Sequence, residues 1–255
     1  MALADVRPDD VVLEVGAADG VLTRRLLDAA AHVHAFEIDR RFTGALERLA
    51  ADRQGLTVHA ADALRTDLAM LRPEPTAFVA NLAYNIAIPI IMRSIEELPG
   101  LRRWAVMVQK ELADRLFASP STKAYSAVSV LVQLACRRVA ARPVARTVFS
   151  PRPRVDSVFV VFERREPSSG AAGVSWGDTA PIVRAAFEQR RKLLANALSG
   201  RPLAGSVVSA AMVRTALERM GLSPTVRAEE LPPDRFPELV LSLAAVVGEG
   251  GSGGA

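Results

Sequence analysis

Val11-Val12-Leu13-Glu14-Val15-Gly16-Ala17-Ala18-Asp19-Gly20 is the stretch that decides the fold. Its first five residues are an apolar run of strand length, and the next five are a turn of small residues. Val21 to Ala30 then reads as a helix. Strand, glycine turn and helix together open the nucleotide-binding half of a doubly wound α/β sheet. Glycine there permits positive φ and lets the backbone approach a ligand closely. The spacing Gly16-x-x-x-Gly20 is not the G-x-G-x-x-G of dinucleotide enzymes, which argues against a dehydrogenase.

Further along, His32 to Phe36 reads as a second strand ending in Glu37-Ile38-Asp39. An acid roughly 20 positions past the glycine turn is placed to accept from both hydroxyls of a ribose, which makes Glu37 the candidate. Asp39 is expected to cap the helix Arg40 to Ala51. His32 and His34 alternate with apolar residues, so they are expected on the polar side of a strand edge, with no catalytic role. Leu56 to Ala60 is a third strand, and Asp62 follows it. Asp62 can accept from an adenine amino group, or it can cap a helix. Ala77 to Ala80 is a fourth strand, and it ends in Asn81-Leu82-Ala83-Tyr84-Asn85. Ligands of open α/β sheets bind beyond the carboxyl ends of the strands. An amide there can accept from an exocyclic amino group while a ring stacks on the base. A turn asparagine and a core tyrosine are the plainer alternative.

With 255 residues, half of them hydrophobic, the chain can build one large domain and a small one. A single cysteine, Cys136, excludes an internal disulfide and a cysteine-rich zinc site. The three histidines show no paired-ligand spacing, so no metal is expected. There is no basic-then-apolar leader and no apolar run of membrane-spanning length, so a soluble cytoplasmic protein is expected. The net charge of +4 is uneven, with +2 over residues 1–150, +4 over 151–203 and −2 over 204–255. The basic excess suits a polyanionic partner.

Asn81 to Tyr84 resembles the Asn-Leu/Ile-Pro-Tyr motif of the adenine-N6 methyltransferases that act on ribosomal RNA, nearest to the small-subunit dimethyladenosine transferase family. The likeness runs from about Val11 to about Leu198. Gly16 to Gly20 resembles the family's first S-adenosylmethionine motif, with Ala18 where its central glycine stands. Ala83 replaces the usual proline. Phe149-Ser150-Pro151-Arg152-Pro153-Arg154-Val155-Asp156-Ser157 resembles Phe-x-Pro-x-Pro-x-Val-Asp-Ser. Its Asp-Ser ending is nearer this family than the related erythromycin-resistance methyltransferases. Val106 to Arg115 and Ser119 to Tyr125 also look like the family. Glycine turn, Glu37, Asp62 and Asn81-x-x-Tyr84 follow one another in the family's order, each at a strand end.

The resemblance implies a Rossmann-like class I methyltransferase sheet with a small α-helical C-terminal domain. The expected divisions are 1–166 for the cofactor-binding domain, 167–179 for a linker, 180–247 for a helical RNA-binding domain and 248–255 for a disordered tail. Val158 to Phe162 is expected to close the sheet, and Ala180 to Ser199 to form one helix. S-adenosylmethionine would be held by Glu14, Gly16, Ala18, Gly20, Glu37, Ile38, Asp62, Ala63 and Asn81. Asn81 and the Leu82 carbonyl would orient the target amine, with Tyr84 and Phe149 on either face of the base. Lys123, Arg152, Arg154, Arg190, Arg191 and Lys192 are the candidate RNA contacts, with a packed Tyr125 and a solvated basic face as the plainer readings. The implied activity is N6,N6-dimethylation of two adjacent adenosines in the 3′-terminal hairpin of 16S rRNA, by a metal-free monomer acting on a pre-30S particle. Large-subunit methylation with macrolide resistance, or a non-catalytic RNA-binding factor on this fold, stay open. The family also carries a Gln-Asn-Phe-Leu element ahead of the first motif, over the cofactor. Met1 to Asp10 do not match it, so an upstream start or a more open pocket is expected.

Overall fold

The computed structural model describes residues 3–148, 155–166, 173–203 and 205–251, the side chains of 250 and 251 excepted. Phe149, Arg152 and Arg154 therefore lie outside the described residues, as does part of the expected linker.

Contacts divide the chain into two units: Met1–Ala113 with Cys136–Arg164, and Asp114–Ala135 with Arg165–Ala255. The first unit alternates β1 (Val11–Val15), α1 (Val21–Leu27), β2 (His32–Phe36), α2 (Arg40–Asp52), β3 (Leu56–His59), β4 (Ala77–Asn81), α3 (Ala87–Glu97) and β5 (Arg103–Gln109). α4 (Lys110–Leu116) and α5 (Ala127–Ala135) come next, before the chain returns as β6 (Cys136–Val144) and β7 (Ser157–Arg164). The seven strands lie in the order β3-β2-β1-β4-β5-β7-β6. The first five are parallel, and β7 runs antiparallel to both β5 and β6.

Parallel strands covered on both faces need continuous apolar runs. Val12, Leu13, Phe36 and Phe78 accordingly have no exposed surface. On one face Val12, Val33, Ala35 and Val79 pack under Leu26 of α1 and Leu46 of α2. On β5, Trp104 stacks on Phe162 with ring centroids 5.2 Å apart, and its indole N–H donates to Ser94 Oγ of α3 at 2.8 Å. The buried polar atom is thereby satisfied. Register then fixes where the loops emerge. Val15 lies opposite Phe36, Phe36 opposite His59, and Asn81 opposite Met107. The turns after β1, β2, β3 and β4 therefore leave the sheet along one edge.

In the second unit, α5 belongs with α6 (Trp176–Glu188), α7 (Leu194–Leu198), α8 (Ala210–Arg219) and α9 (Arg235–Gly251). A two-stranded hairpin of β8 (Pro202–Leu203) and β9 (Ser206–Val207) precedes α8. Among the described residues no helix is long and apolar enough to cross a membrane.

Several expectations change. The second unit is not confined to 180–247, because it also takes in Asp114–Ala135. Tyr125 is fully buried there and its hydroxyl donates to the Leu231 carbonyl at 2.7 Å. Helix α6 begins at Trp176, inside the expected linker, where Ser175 and Asp178 form a capping box. The single helix over 180–199 is broken between Glu188 and Leu194. Leu193 there bridges to Arg227, and the Leu194 N–H donates to the Val226 carbonyl at 2.9 Å. Helix α9 continues to Gly251, past the expected start of the tail, and Glu249 on it pairs with Arg219 of α8 at 2.5 Å. β7 does not close the sheet, since β6 lies outside it. β6 escapes a pattern search because its sequence, CRRVAARPV, lies mostly exposed along an edge and shows no alternation. His34 is buried rather than at a polar edge. Its Nε2 donates to the Pro73 carbonyl at 2.8 Å and its Nδ1 lies 3.1 Å from His59 Nε2, so burial leaves neither nitrogen without a partner.

Candidate active site

The turn after β1 is built by backbone conformation. Gly16 and Gly20 hold φ of 80° and 81°, and Ala18 holds φ of 47°, a left-handed conformation that a Cβ disfavours. A Cβ on Gly16 would sit 3.7 Å from the Asn81 carbonyl, in the space between the two motifs. From the end of β2, Glu37 reaches back across this turn. Its Oε2 accepts from the Ala18 N–H and its Oε1 from the Asp39 N–H, both at 2.8 Å. Asp39 in turn caps α2 by accepting from the Arg41 N–H at 3.0 Å. Glu37 is thus a nearly buried carboxylate held in one pose, with lone pairs to spare.

Asp62 caps its own turn, accepting from the Leu64 N–H at 2.9 Å. Oδ1 makes the cap, while Oδ2 lies 3.7 Å from the exposed Arg65 guanidinium. The turn is anchored by Arg93 of α3, whose guanidinium donates to the Ala63 carbonyl at 2.9 Å and the Thr66 carbonyl at 2.7 Å. Glu97, one turn along, pairs with Arg93 at 2.5 Å. Sequence reading missed this positioning residue, and its signal was the i,i+4 Arg-Glu spacing.

Glu14 on β1 is 1% exposed and accepts from Thr23 Oγ1 at 2.7 Å. Burial pushes its carboxyl up to about 7, opposed by the Thr23 hydrogen bond and reinforced by the negative Glu37 nearby.

These groups surround an open cavity of about 900 Å³ lined by Gly16, Glu37, Ile38, Asp62, Ala63 and the loop from Asn81 to Ile86, with Met107, Val108 and Ser157. A smaller cavity of about 360 Å³ shares Gly16, Asn81 and Met107 with it and adds Glu14, Ala17, Ala18 and Asp19. The first volume is what a small-molecule cofactor and a base require. Ile38 and Tyr84, 67% and 43% exposed, present apolar surface to its rim. Asn81 stands at the exposed end of β4, and Leu82 behind it is buried, its N–H donating to the Met107 carbonyl at 3.1 Å. The structure thus brings together Glu14, Gly16, Ala18, Glu37, Ile38, Asp62, Ala63, Asn81, Leu82 and Tyr84. Gly20 lies outside the lining but shapes the turn. Ser157, Met107 and Val108 join the wall without having been singled out in the sequence.

Four of the candidate RNA contacts belong to the second unit. There Lys123, Arg190, Arg191 and Lys192 line a depression with Arg227 and Glu229. Arg190 is a strap: it pairs with Glu229 at 2.5 Å and donates to the Lys123 and Thr122 carbonyls at 3.0 and 3.2 Å. Arg191 and Lys192 are exposed at the break after α6, not on a helix face. Among the described residues no group of His, Cys, Asp or Glu is disposed to hold a metal.

A sheet in this strand order, with a glycine turn, a pinned acid and an Asn-x-x-Tyr loop around one cavity, defines a class I methyltransferase. The family model described as ribosomal RNA adenine dimethylase matches residues 1–239, and the chain belongs to that family. The ribosomal RNA small subunit methyltransferase A of Rubrobacter xylanophilus is 43% identical over 230 residues, spanning 90% of this chain and 84% of its own length. The protein of that name from Streptomyces griseus is 44% identical over 241 residues, spanning 91% and 79%. Among solved structures, a dimethyladenosine transferase from Plasmodium falciparum aligns with a TM-score of 0.79 at 25% identity, covering 96% of this chain and 93% of that one. The 23S rRNA methyltransferase ErmE aligns with a TM-score of 0.66 at 25% identity, covering 95% and 94%.

Proposed function

We propose that this protein uses S-adenosylmethionine to dimethylate N6 of two adjacent adenosines in the 3′-terminal hairpin of small-subunit ribosomal RNA, as a monomer acting on pre-30S particles in the cytoplasm. The observation that carries the reading is that Asn81 and Leu82 share a cavity wall with Gly16, Glu37 and Asp62. The names of the relatives from Rubrobacter and Streptomyces support the choice of the small subunit.

The residues fit the cofactor. Glu37 would hold its ribose hydroxyls, Asp62 and the Ala63 N–H its adenine, Ile38 the face of that ring, and Glu14 with the turn Gly16–Gly20 its amino-acid end. When bound, the cofactor supplies a methyl group on a sulfonium, already a strong electrophile. The chain's task is therefore to prepare the amine. An adenine amino nitrogen is a poor nucleophile because its lone pair is delocalised into the ring. The Asn81 side-chain carbonyl and the Leu82 backbone carbonyl accept its two hydrogens. That draws the nitrogen toward tetrahedral geometry and fixes the direction of its lone pair. Preorganised dipoles and positioning then supply the acceleration, and the methylated nitrogen, cationic as formed, releases a proton to solvent before the second transfer, with no charged base. Tyr84 stacks on the extruded base. Adenines in unpaired loops cost least to bring there.

The test is Asn81→Ala, with methylation of small-subunit RNA read by mass spectrometry and cofactor affinity by calorimetry. Loss of one preorganised acceptor should slow transfer by about 100-fold or more. Undiminished transfer at wild-type cofactor affinity overturns the assigned role. Large-subunit RNA in the same assay separates the two ribosomal substrates.

A further inference from the structure

Among the described residues β6 ends the sheet, and its exposed positions include Arg137 and Arg142 on one face and Arg138 on the other. Arg146 follows in the next turn. Edge strands are commonly guarded by charge, proline and bulges against pairing with another chain. β6 has all three, with Pro143 near its end and a register shift between Arg138 and Ala140. Charge of either sign serves that purpose. Here the sign is uniform: the 13 residues from Cys136 to Val148 contain four Arg and no Asp or Glu. Guarding an edge does not require that bias, and a polyanion does.

The register ties this strip to the cavity. Val144 lies opposite Ser157, which walls the larger cavity, and Arg142 lies opposite Phe159, which walls the smaller one. Directly opposed residues of an antiparallel pair share a face. Nine residues of strand give a track about 30 Å long leading to the cavity wall. Arg137 pairs with Glu163, and Arg146 with Asp156 at 2.6 Å, but both arginines remain partly exposed. Exposed pairs are weak, and a guanidinium has five donors. Neither arginine is spent.

We propose that the β6 edge, through Arg137, Arg142 and Arg146, holds the phosphodiester backbone of the substrate RNA beside the nucleotide that enters the cavity. The inference rests on the ribosomal RNA reading above. The track positions RNA without reading sequence, as phosphate contacts do.

The experiment compares wild type with Arg137→Glu/Arg142→Glu and, more gently, Arg137→Gln/Arg142→Gln, all in the full chain. A transcribed small-subunit 3′-terminal hairpin is titrated by fluorescence anisotropy at several salt concentrations. S-adenosylhomocysteine is titrated by calorimetry, and mass in solution is followed by light scattering. Charge reversal should weaken RNA binding at least ten-fold. The glutamine pair should flatten the slope of log affinity against log salt by about 1.4, roughly 0.7 per lost contact. Nucleoside binding and monomeric mass should not change. Unaltered affinity and slope in both variants overturns the proposal. So does RNA loss that comes only with self-association in both, because the arginines then merely guard the edge. Should wild type itself fail to bind the hairpin, the ribosomal RNA reading fails first, before any variant is compared.

Discussion

Glu37 Oε2 accepts the backbone N–H of Ala18 at 2.8 Å across nineteen residues of sequence, tying the end of β2 to the turn after β1. Its other oxygen takes the Asp39 N–H. Glu37→Gln therefore does more than remove a charge. An amide has one acceptor oxygen, so its NH₂ must face one of the two backbone donors, leaving a largely buried N–H without a partner. That should cost about 1–3 kcal/mol of stability. Thermal melting of the free protein should fall, and calorimetric titration with cofactor should show a separate loss of affinity. A variant with unchanged melting would mean that Glu37 does not organise the turn.

Ala18 pays for its position in the same turn. A left-handed φ costs an L-residue about 1–2 kcal/mol, while glycine gives back about 0.5–1 kcal/mol in backbone entropy. Ala18→Gly should therefore stabilise the first unit by less than about 1 kcal/mol, a rise of roughly 2–4 °C in melting temperature at most. Removing the methyl also opens the wall of the smaller cavity, so cofactor affinity should hold or rise. A fall in melting temperature would show that the turn relaxes elsewhere once Ala18 is gone.

Tyr84 is 43% exposed at the rim of the larger cavity, so its ring contributes little to the core. Tyr84→Ala should leave stability nearly unchanged. If the ring stacks on a base, the loss is about 1–3 kcal/mol of RNA binding, a five- to 150-fold rise in KM for RNA. Tyr84→Phe should stay close to wild type, because stacking does not use the hydroxyl. Steady-state kinetics with a hairpin substrate decide it, and equal losses in both variants would point to the hydroxyl instead.

The strands of the parallel half were legible because each is an apolar run that ends in a chemically distinct residue. His32–Phe36 has the bounds read from sequence, and so does Val11–Val15. The cavity wall was legible for the same reason: ligand groups sit at strand ends, so Glu37, Asp62 and Asn81 announce themselves by where the apolar run stops. β6 was not legible, since an exposed edge strand buries too little to impose a period. The allotment of Asp114–Ala135 to the second unit was invisible too. It depends on contacts such as Tyr125 to Leu231, 106 residues apart, which no local pattern encodes. Arg93 was overlooked because its i,i+4 spacing to Glu97 marks an ordinary helix pair, while the carbonyls it anchors, those of Ala63 and Thr66, carry no residue identity.

Acidity should act on the first unit in two opposing ways. Burial pulls His59 down to about 4, with His34 and His32 adding repulsion, and burial also lowers His34 and His32. The unfolded chain then binds more protons than the folded one, so stability present above about pH 6.5 is lost as pH falls toward 4. Glu14 has the opposite sign. Its folded pKa of about 7 exceeds the unfolded value, so its contribution is full below about pH 4.5 and is lost as pH rises through 7. Glu14→Gln keeps an acceptor for Thr23 without a buried charge. Above pH 7 it should melt higher than wild type, by an amount on the order of 3 kcal/mol at most. His59→Phe should flatten the acid limb between pH 6.5 and 4. Melting curves across pH 4–9 test both, and a Glu14→Gln variant that melts lower at pH 8 would mean that the carboxyl ionises at no cost.

The segment between α4 and α5 depends on the C-terminal helices. Tyr125 has no exposed surface, its ring meets the edge of Phe187 at 5.7 Å between centroids, and its hydroxyl donates to the Leu231 carbonyl. Burial, then the negative Asp234, hold that hydroxyl well above its ordinary range, so it stays a donor at any pH the protein survives. Tyr125→Phe leaves the carbonyl unpaired and should cost about 1–2 kcal/mol. Truncation after Glu166 removes Phe187 and Leu231 together, exposing Tyr125 and the apolar face of α5. A fragment ending there should aggregate or lose the helical signal of α5, despite retaining the whole seven-stranded sheet. A fragment that stays monomeric with α5 protected in hydrogen exchange would show that Asp114–Ala135 folds without the helices that follow it.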